Sequence, residues 1–360
     1  MQRIIMHIDF DYFYAQVEEV ERKVKDRPVV VCMFSGRTAE SGAVATANYL
    51  ARKYGVGAGI PIFQAKAKLK GTDALFLPAN HQLYAEKSFA IMQLLEKFTD
   101  KLEPASIDEA FLDVSEKCDG DYKKAEKLVK EIKKAIYEKF KLTCSIGIAP
   151  NKLVAKIASD FQKPDGLTIV KPEEVQNFLD PLDADDIPGI GKKTTEFLAE
   201  KNIKTVADLR KADRGFLVET FGKKTGAWLM MAARGEDESP VGIFQEQKQI
   251  SRIKTLKKNT RSIEEIMEAL EELVEDIVAE IMEEDLLFGS VGINAIDEDL
   301  KMHTKSRKLP HPSEKAEDIR WYCRELYAGL LQEMPVEFRR VGVRIEKLQS
   351  KKGQKTLGEF

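Results

Sequence analysis

What the 360-residue sequence has little of narrows the field first. Its four cysteines, Cys32, Cys118, Cys144 and Cys323, lie far apart with no CxxC pair. That spacing argues against a zinc cluster and a dense disulfide framework, and points to a reducing, cytoplasmic setting. No stretch approaches the ~20 apolar residues of a membrane span. The N-terminal apolar run from Ile4 to Ile8 is interrupted by His7 and closed by Asp9, too short for the core of a secretory signal. A soluble intracellular protein is expected. Charge of one sign is also missing: 57 Lys plus Arg stand against 60 Asp plus Glu, a net charge of −3. A protein that coats nucleic acid through bulk positive charge is thereby excluded, and any polyanion must be gripped by local patches. Internal repeats and low-complexity blocks are absent. What is present is 43% hydrophobic residues, enough for real cores, in a length that predicts two or three domains.

The patterning predicts a strand over residues 3–8, a helix from the aromatic-rich stretch that follows, and a second strand over 28–34. Residues 42–54 have helical composition ending at Gly55, and 62–70 read as another short helix, so 11–78 is expected to be a small, mostly helical insertion. Strands over 74–78, 142–149 and 167–170, helices over 84–98, 123–140 and 152–160, and an acidic hairpin over 101–114 interleave as a ferredoxin-like sheet with helices on one face. Residues 172–233 read as short helices joined by glycine turns, and GEDESPV at 235–241 as a linker. Beyond it, strands over 248–261, 288–296, 301–308 and 338–347 with helices over 262–284 and 313–333 make a second α/β domain. The last fourteen residues look like a tail. The fold class is therefore α+β and multidomain.

Asp9 at the end of the first strand, with Asp108 and Glu109 on the acidic hairpin, are candidates to converge. Three meeting carboxylates repel unless cations sit between them, and a pair of Mg²⁺ ions is the known use of such a cluster in phosphoryl transfer. Asp108 also reads as a turn residue and Glu109 as a solvated one; Asp11 fits an ordinary helix N-cap. In the run Phe10, Tyr12, Phe13 and Tyr14, the phenylalanines suit core packing, while a tyrosine ring lying against a deoxyribose would clash with a ribose 2′-hydroxyl. Thr46, Tyr49 and Arg52, spaced by three, predict one helix face offering a hydroxyl, a phenol and a guanidinium to phosphate, or a solvated amphipathic face. Lys163 in the loop FQKPDG is a further candidate for triphosphate charge.

For nucleic acid, the turn IPGIG followed by KKTTEFLAE places Gly189 and Gly191 where amides can approach a phosphate, with Lys192 and Lys193 beside them, and GKKTG at 222–226 repeats the theme. Between residues 248 and 261 there are six bases, Lys248, Arg252, Lys254, Lys257, Lys258 and Arg261, and no acid; residues 262–285 carry eleven acids and no base. If the first is a strand and the second a helix covering the sheet's other side, the open face is presented to a duplex, extended by Lys301, Lys305, Arg307 and Lys308. Such contacts are sequence-independent and salt-sensitive.

HIDFDYFYAQVEE, GAVATANYLARKYGV, GIPI, ASIDEAFLDVS, SIGIAPNKLVAKIASDFQKPDG and DIPGIGKKT together resemble the Y-family, lesion-bypass DNA polymerases, in particular the archaeal DNA polymerase IV branch, in order across nearly the whole chain. The resemblance implies that Asp9, Asp108, Glu109 and the Phe10 carbonyl are metal ligands for two Mg²⁺ and that Tyr14 is the steric gate against ribonucleotides. It implies triphosphate contacts at Tyr12, Thr46, Tyr49, Arg52 and Lys163. It assigns a palm to 1–10 and 79–170, fingers to 11–78, a helix-hairpin-helix thumb to 171–234, a linker to 235–246, a little finger to 247–346 and a tail to 347–360. Gln354, Leu357 and Phe360 resemble a sliding-clamp peptide. The expected function is template-directed, low-fidelity translesion synthesis by a monomer on primer-template DNA and dNTP, without a proofreading exonuclease. The rivals are a nucleotide cyclase and a non-catalytic DNA-binding or clamp-tethering protein.

Overall fold

The computed structural model describes residues 1–242 and 247–351, which separate into two compact units, residues 1–33 with 43–242 and residues 34–42 with 247–351. The first unit is built on a sheet of five strands, β1 (Ile5–Asp9), β5 (Leu102–Pro104), β6 (Glu109–Asp113), β7 (Ser145–Ala149) and β8 (Leu167–Ile169), in the order β5-β6-β1-β7-β8. β1 runs antiparallel to both β6 and β7, and β8 is parallel to β7. Every position of β1 and of β7 is buried, so both faces of this sheet need cover.

On one face Met6, Ile8, Leu112, Ile146 and Ile148 join a core with residues of α1 (Phe13–Arg22), α4 (His81–Leu95) and α5 (Tyr122–Phe140). On the other, Ile5, Phe111 and Ala149 pack with α6 (Lys152–Phe161) and the helices that follow it. The expectation of helices on a single face is thus corrected, because both parities of the central strands carry apolar side chains. Each fully buried Ile or Met contributes about 1.5–3 kcal/mol. β1 residues 5, 7 and 9 share the α6 face, and so do their cross-strand partners Asp113, Phe111 and Glu109 and, on β7, Ala149, Gly147 and Ser145. α6 lies so close at Gly147 that a Cβ there would stand 2.1 Å from the Ala155 carbonyl oxygen and 2.5 Å from the Ser159 nitrogen.

A smaller sheet, β2 (Val29–Phe34), β3 (Gly42–Ala47) and β4 (Leu75–Pro78) in the order β3-β2-β4, carries α2 (Tyr49–Arg52) and α3 (Ile62–Lys68) on a core of its own that includes Val30, Val44, Ala51 and Ile62. The mostly helical insertion, with a helix over 42–54, is corrected here. Residues 42–47 are strand, and helix begins only where the Asn48 side-chain oxygen accepts from the Ala51 amide at 3.0 Å. α1, for its part, buries Phe13, Ala15 and Val17 in the larger core.

The strand signal stops as expected, and α7 (Val175–Leu179), α8 (Lys192–Glu200), α9 (Val206–Lys211) and α10 (Arg214–Ala233) form the helical module, α10 being kinked at Gly222, whose φ is +82°. The second unit is a four-stranded antiparallel sheet, β9 (Gln249–Thr260), β10 (Leu286–Asp297), β11 (Met302–Ser313) and β12 (Phe338–Glu346), in the order β11-β10-β12-β9. α11 (Ile263–Glu283) and α12 (Ala316–Glu333) share a core with Val291, Ile293, Val341 and Val343 of that sheet. The residues past 346, expected to add nothing, do add something: Leu348 packs against this core and Gln349–Ser350 pair with Leu286 and Leu287. Among the described residues, no helix is long and apolar enough to cross a membrane.

Candidate active site

Strand register delivers the carboxylates. Asp9 closes β1 directly opposite Glu109, the first residue of β6, and the amide of Phe10 donates to the Asp108 carbonyl at 3.0 Å, which ties the hairpin tip to the end of β1. Asp9 is buried; its Oδ1 accepts from the Asp11 amide at 2.7 Å and its Oδ2 meets the Lys163 ammonium at 2.7 Å. Burial pushes the Asp9 carboxyl up to about 7, against the pull of Lys163. Asp108, half-buried, takes a hydrogen bond on Oδ1 from Ser106 Oγ at 2.6 Å.

Glu109 Oε2 pairs with Lys156 Nζ at 2.5 Å and stands 3.8 Å from His7 Nε2, beyond hydrogen-bonding reach. The His7 ring and the Lys156 ammonium hold the Glu109 carboxyl well below the usual carboxylate range, while burial lowers the affinity of His7 for a proton. Lys163 also bonds Asp160 at 2.7 Å. Lys156, Ser159, Asp160 and Lys163 follow at helical spacing, so α6 and the residues just past it supply partners for both strand carboxylates. The sequence reading missed Lys156, His7, Ser159 and Gly147. The signal was there as a polar stripe along an otherwise apolar helix.

Among the described residues, no three His, Cys, Asp or Glu side chains are close enough to hold an ion. The expected convergence therefore exists in the backbone, while the side chains of Asp9 and Glu109 turn to lysines. The donor set nevertheless fits a hard divalent cation: three carboxylates and the Phe10 carbonyl are all oxygen, and the buried Asp9 carries a charge that its surroundings stabilise poorly. The capping role expected of Asp11 is corrected. α1 has no side-chain cap, and Asp11 instead accepts from Ser145 Oγ at 2.7 Å and from the Asp165 amide at 3.2 Å, tying β7 and the loop before β8 to the end of β1.

The aromatic run splits as expected, with Phe10 and Phe13 in the core and the tyrosines half-buried. Tyr14 stacks on Tyr84 at 4.2 Å between ring centroids and 14° between planes. Desolvation and then the nearby Asp108 charge raise its pKa. Tyr12 meets Tyr49 edge-on at 5.3 Å and donates to Glu19 Oε2 at 3.2 Å. The single helix face expected for Thr46, Tyr49 and Arg52 is corrected: Thr46 belongs to β3 and only Tyr49 and Arg52 to α2. The Arg52 guanidinium lies 4.8 Å from the Tyr49 ring centre and its Nε donates to the Ala47 carbonyl at 2.9 Å; the Tyr49 hydroxyl is buried with no hydrogen-bond partner among the described residues.

In the helical module Gly189 has φ +105°, a conformation that favours glycine, and a Cβ there would meet Trp228 at 2.9 Å. Gly191 is the N-cap of α8 and offers no side-chain cap, with Lys192 and Lys193 exposed in the first turn.

The second unit corrects the simple picture of a basic strand face. Register places Arg252 and Lys254 opposite Val343 and Val341, and Lys305 and Arg307 opposite Ile293 and Val291, all on the helix side. There Lys254 pairs with Glu272, Arg252 with Glu280 and Lys305 with Glu333. Arg261 bonds the carbonyls of Leu331, Met334 and Val336. The bases that register puts on the open face are Lys308, Arg340 and Arg344, and the sequence reading passed over the last two. Lys248, Lys257 and Lys258 are exposed. Gln354, Leu357 and Phe360 lie outside the described residues.

A carboxylate-bearing palm sheet, a helical module with a glycine turn and a separate C-terminal sheet domain define a DNA-directed DNA polymerase, and comparison with known proteins agrees. Residues 8–160 match the impB/mucB/samB family, residues 247–357 the C-terminal domain of that family, and residues 185–237 the thumb domain of DNA polymerase-iota. DNA polymerase IV of Nitrosopumilus maritimus is 44% identical, with 99% of each chain covered, and that of Methanosarcina acetivorans 43% identical over the whole of both. A solved Y-family chimera of the Dbh and Dpo4 polymerases superimposes with a TM-score of 0.90 at 38% identity, covering 97% of this chain and all of the other. An insertion ternary complex of Dbh DNA polymerase covers the same shares at 38% identity and a TM-score of 0.68. The chain belongs to the Y family of DNA polymerases, among the DNA polymerase IV proteins. It is a translesion polymerase with palm, thumb and little finger domains, it acts on DNA and nucleotides, and its family implies use of a divalent metal.

Proposed function

We propose that Asp9, Asp108, Glu109 and the Phe10 carbonyl form the catalytic centre and hold two Mg²⁺ ions. The observation that carries this is the pairing of Asp9 with Glu109 across β1 and β6, with the Phe10 amide on the Asp108 carbonyl. When bound, the ions supply Lewis-acid activation of the primer 3′-hydroxyl and charge stabilisation at the triphosphate. The primer oxygen loses its proton and forms a bond to the α-phosphorus as the bond to the β-phosphate bridging oxygen breaks, and pyrophosphate leaves. Tyr12, Thr46, Tyr49, Arg52 and Lys163 orient the triphosphate; the unpartnered Tyr49 hydroxyl and the planar Arg52 fork suit phosphate oxygens. Tyr14, stiffened by its stack on Tyr84, excludes a 2′-hydroxyl.

The glycine turn with Lys192 and Lys193, and the basic residues of the second unit, bind backbone phosphates without reading sequence. A small fingers element of three strands and three helices covers the nascent pair loosely, which gives low fidelity. We further propose the boundaries 1–10 and 79–170 for the palm, 11–78 for the fingers, 171–234 for the thumb, 235–246 for the linker and 247–346 for the little finger. The protein works as a monomer in the cytoplasm, in keeping with four free, buried cysteines, and the tail docks on a sliding clamp through Gln354, Leu357 and Phe360. Primer extension with Mg²⁺ and each dNTP tests the core of this reading. Asp108→Ala should abolish extension and Tyr14→Ala should admit ribonucleotides; full activity of Asp108→Ala overturns it.

A further inference from the structure

α1 carries a buried acid that the chemistry proposed above does not use. Tyr14, Glu18 and Arg22 follow at intervals of four, so they form one stripe along the helix. Glu18 is only 2% exposed, and both of its carboxylate oxygens are engaged: Oε1 accepts from the Tyr84 hydroxyl at 2.8 Å and Oε2 from Arg22 Nε at 2.6 Å. A buried carboxylate is costly unless its lone pairs are met, so the three side chains are locked as a set. Tyr84, fully buried in the first turn of α4, bridges the stripe: its hydroxyl is on Glu18, while its ring stacks on that of Tyr14, one turn back, at 4.2 Å between centroids and 14° from parallel. The His81 ring meets Tyr14 edge-on at 6.2 Å. The backbone of that turn is itself fixed, because the Asn80 side chain accepts from the Leu83 amide at 3.2 Å and the Tyr84 amide donates to the Asn80 carbonyl at 3.1 Å. The Tyr84 ring is therefore held at both ends, by a capped helix at its Cβ and by a carboxylate at its hydroxyl. Whatever fixes that ring fixes the plane against which Tyr14 rests.

We propose that Glu18 is a positioning residue for sugar selection: through the Tyr84 hydroxyl it fixes the ring on which Tyr14 stacks, and so sets how strictly a 2′-hydroxyl is excluded. This rests on the steric-gate role given to Tyr14 above. Neither Glu18 nor the Tyr84 hydroxyl faces the nucleotide. They act by keeping the Tyr14 ring in one place, and a gate that can swing admits the extra oxygen it should meet. An aromatic pair biases a ring toward one position by about two- to ten-fold, which bounds how much selectivity the platform can supply.

The test compares Tyr84→Phe, which keeps the stack and removes the hydroxyl, with Glu18→Leu, the double variant and Tyr14→Ala. The full-length polymerase is assayed on primer-template DNA with Mg²⁺ for kcat and KM with dCTP and with CTP opposite a template guanine, and for melting temperature. The readout is the ratio of the two kcat/KM values. Tyr84→Phe and Glu18→Leu should each lower that ratio by about two- to ten-fold, chiefly through faster CTP insertion, with dCTP insertion held within about three-fold. Each single variant strands one buried polar group and should melt earlier. The double variant matches two apolar groups, so its melting temperature should recover while its selectivity stays as low as in the single variants. In a Tyr14→Ala background the same changes should have no further effect on the ratio. Ratios unchanged in both single variants, with Tyr14→Ala admitting CTP, overturn the positioning role alone. A double variant that regains selectivity together with stability overturns it too, by showing a purely structural role, as does further loss of selectivity once Tyr14 is gone. A Tyr14→Ala protein that still rejects CTP overturns the reading beneath it.

Discussion

Gly147→Ala should disable catalysis from a residue that touches no substrate. The added Cβ would stand 2.1 Å from the Ala155 carbonyl oxygen and 2.5 Å from the Ser159 nitrogen, both backbone atoms of α6 that no side-chain rotation can clear. Relief to an ordinary contact near 3.4 Å requires the helix to back away by roughly 1 Å. α6 carries Lys156 and Ser159 and leads to Lys163, whose ammonium groups lie 2.5 and 2.7 Å from Glu109 and Asp9, so that retreat breaks both pairs at once. Overpacking of this kind costs about 1–3 kcal/mol of stability, and a misplacement of about 1 Å costs on the order of a hundred-fold in rate. Thermal unfolding read together with single-nucleotide insertion rates measures both. Gly57→Ala, with nothing within 4 Å of the new methyl, is the control and should change neither appreciably. A Gly147→Ala protein with a lowered melting temperature and a normal insertion rate would show that the seat of α6 does not position the site. An unchanged melting temperature would show that the helix yields without cost.

Arg340→Ala with Arg344→Ala should weaken DNA binding and flatten the slope of log affinity against log salt by about 2, since each phosphate contact contributes about 0.9. Lys254→Ala, whose partner is Glu272 on the helix side, should leave affinity within about two-fold; equal losses in the two proteins would refute the face assignment. In EDTA, burial holds Asp9 near 7, so between about pH 4 and 7 the folded chain keeps a proton that the unfolded chain has released, and stability falls as pH rises across that window, by about 4 kcal/mol at most. Asp9→Asn should remove that slope, and urea unfolding at pH 5 and pH 8 with the same difference in both proteins would contradict it. Tyr84→Phe deprives the buried Glu18 of a 2.8 Å hydrogen bond and should cost about 1–3 kcal/mol, measured by chemical denaturation; a neutral result would mean that Arg22 alone satisfies the carboxylate.

Much of this architecture was legible in the sequence because local signals agreed with the tertiary structure. The acidic hairpin, the helix over 122–140 and the four long strands of the second unit announce themselves by alternation, periodicity and caps. Residues 42–47 misled because GAVATA satisfies helix composition as well as strand composition. Pairing with β2, which is not local, and the Asn48 cap three residues before Ala51 decide between them. The charge segregation of 248–285 was plain, yet the alternation of β9 sends Arg252 and Lys254 to the acidic helix, whereas Arg340 and Arg344 sit in a segment where charge is unremarkable. Register decides which face a base reaches, and register is a property of the pairing partner.

The proposed active site divides the same way. Its acids come from two antiparallel strands and the turn that leads into the second, whose register fixes where they meet. The cationic partners of Asp9 and Glu109 come from one helix and the residues just past it. A helix can hold those groups against a sheet only as well as it is seated. Here the seat is Gly147, opposite His7 on β1 and directly beneath Ala155 and Ser159. The motif SIGIAPNKLVAKIASDFQKPDG contains both the glycine and the helix it receives. A glycine at that position is thus required by the approach of a backbone, since its φ is not in the left-handed region that turn glycines adopt. The consequence is that the alignment of acids and bases rests on the closeness of one strand to one helix. Substitutions along that contact, far more than those on the exposed hairpin tip, should change rate and metal affinity together.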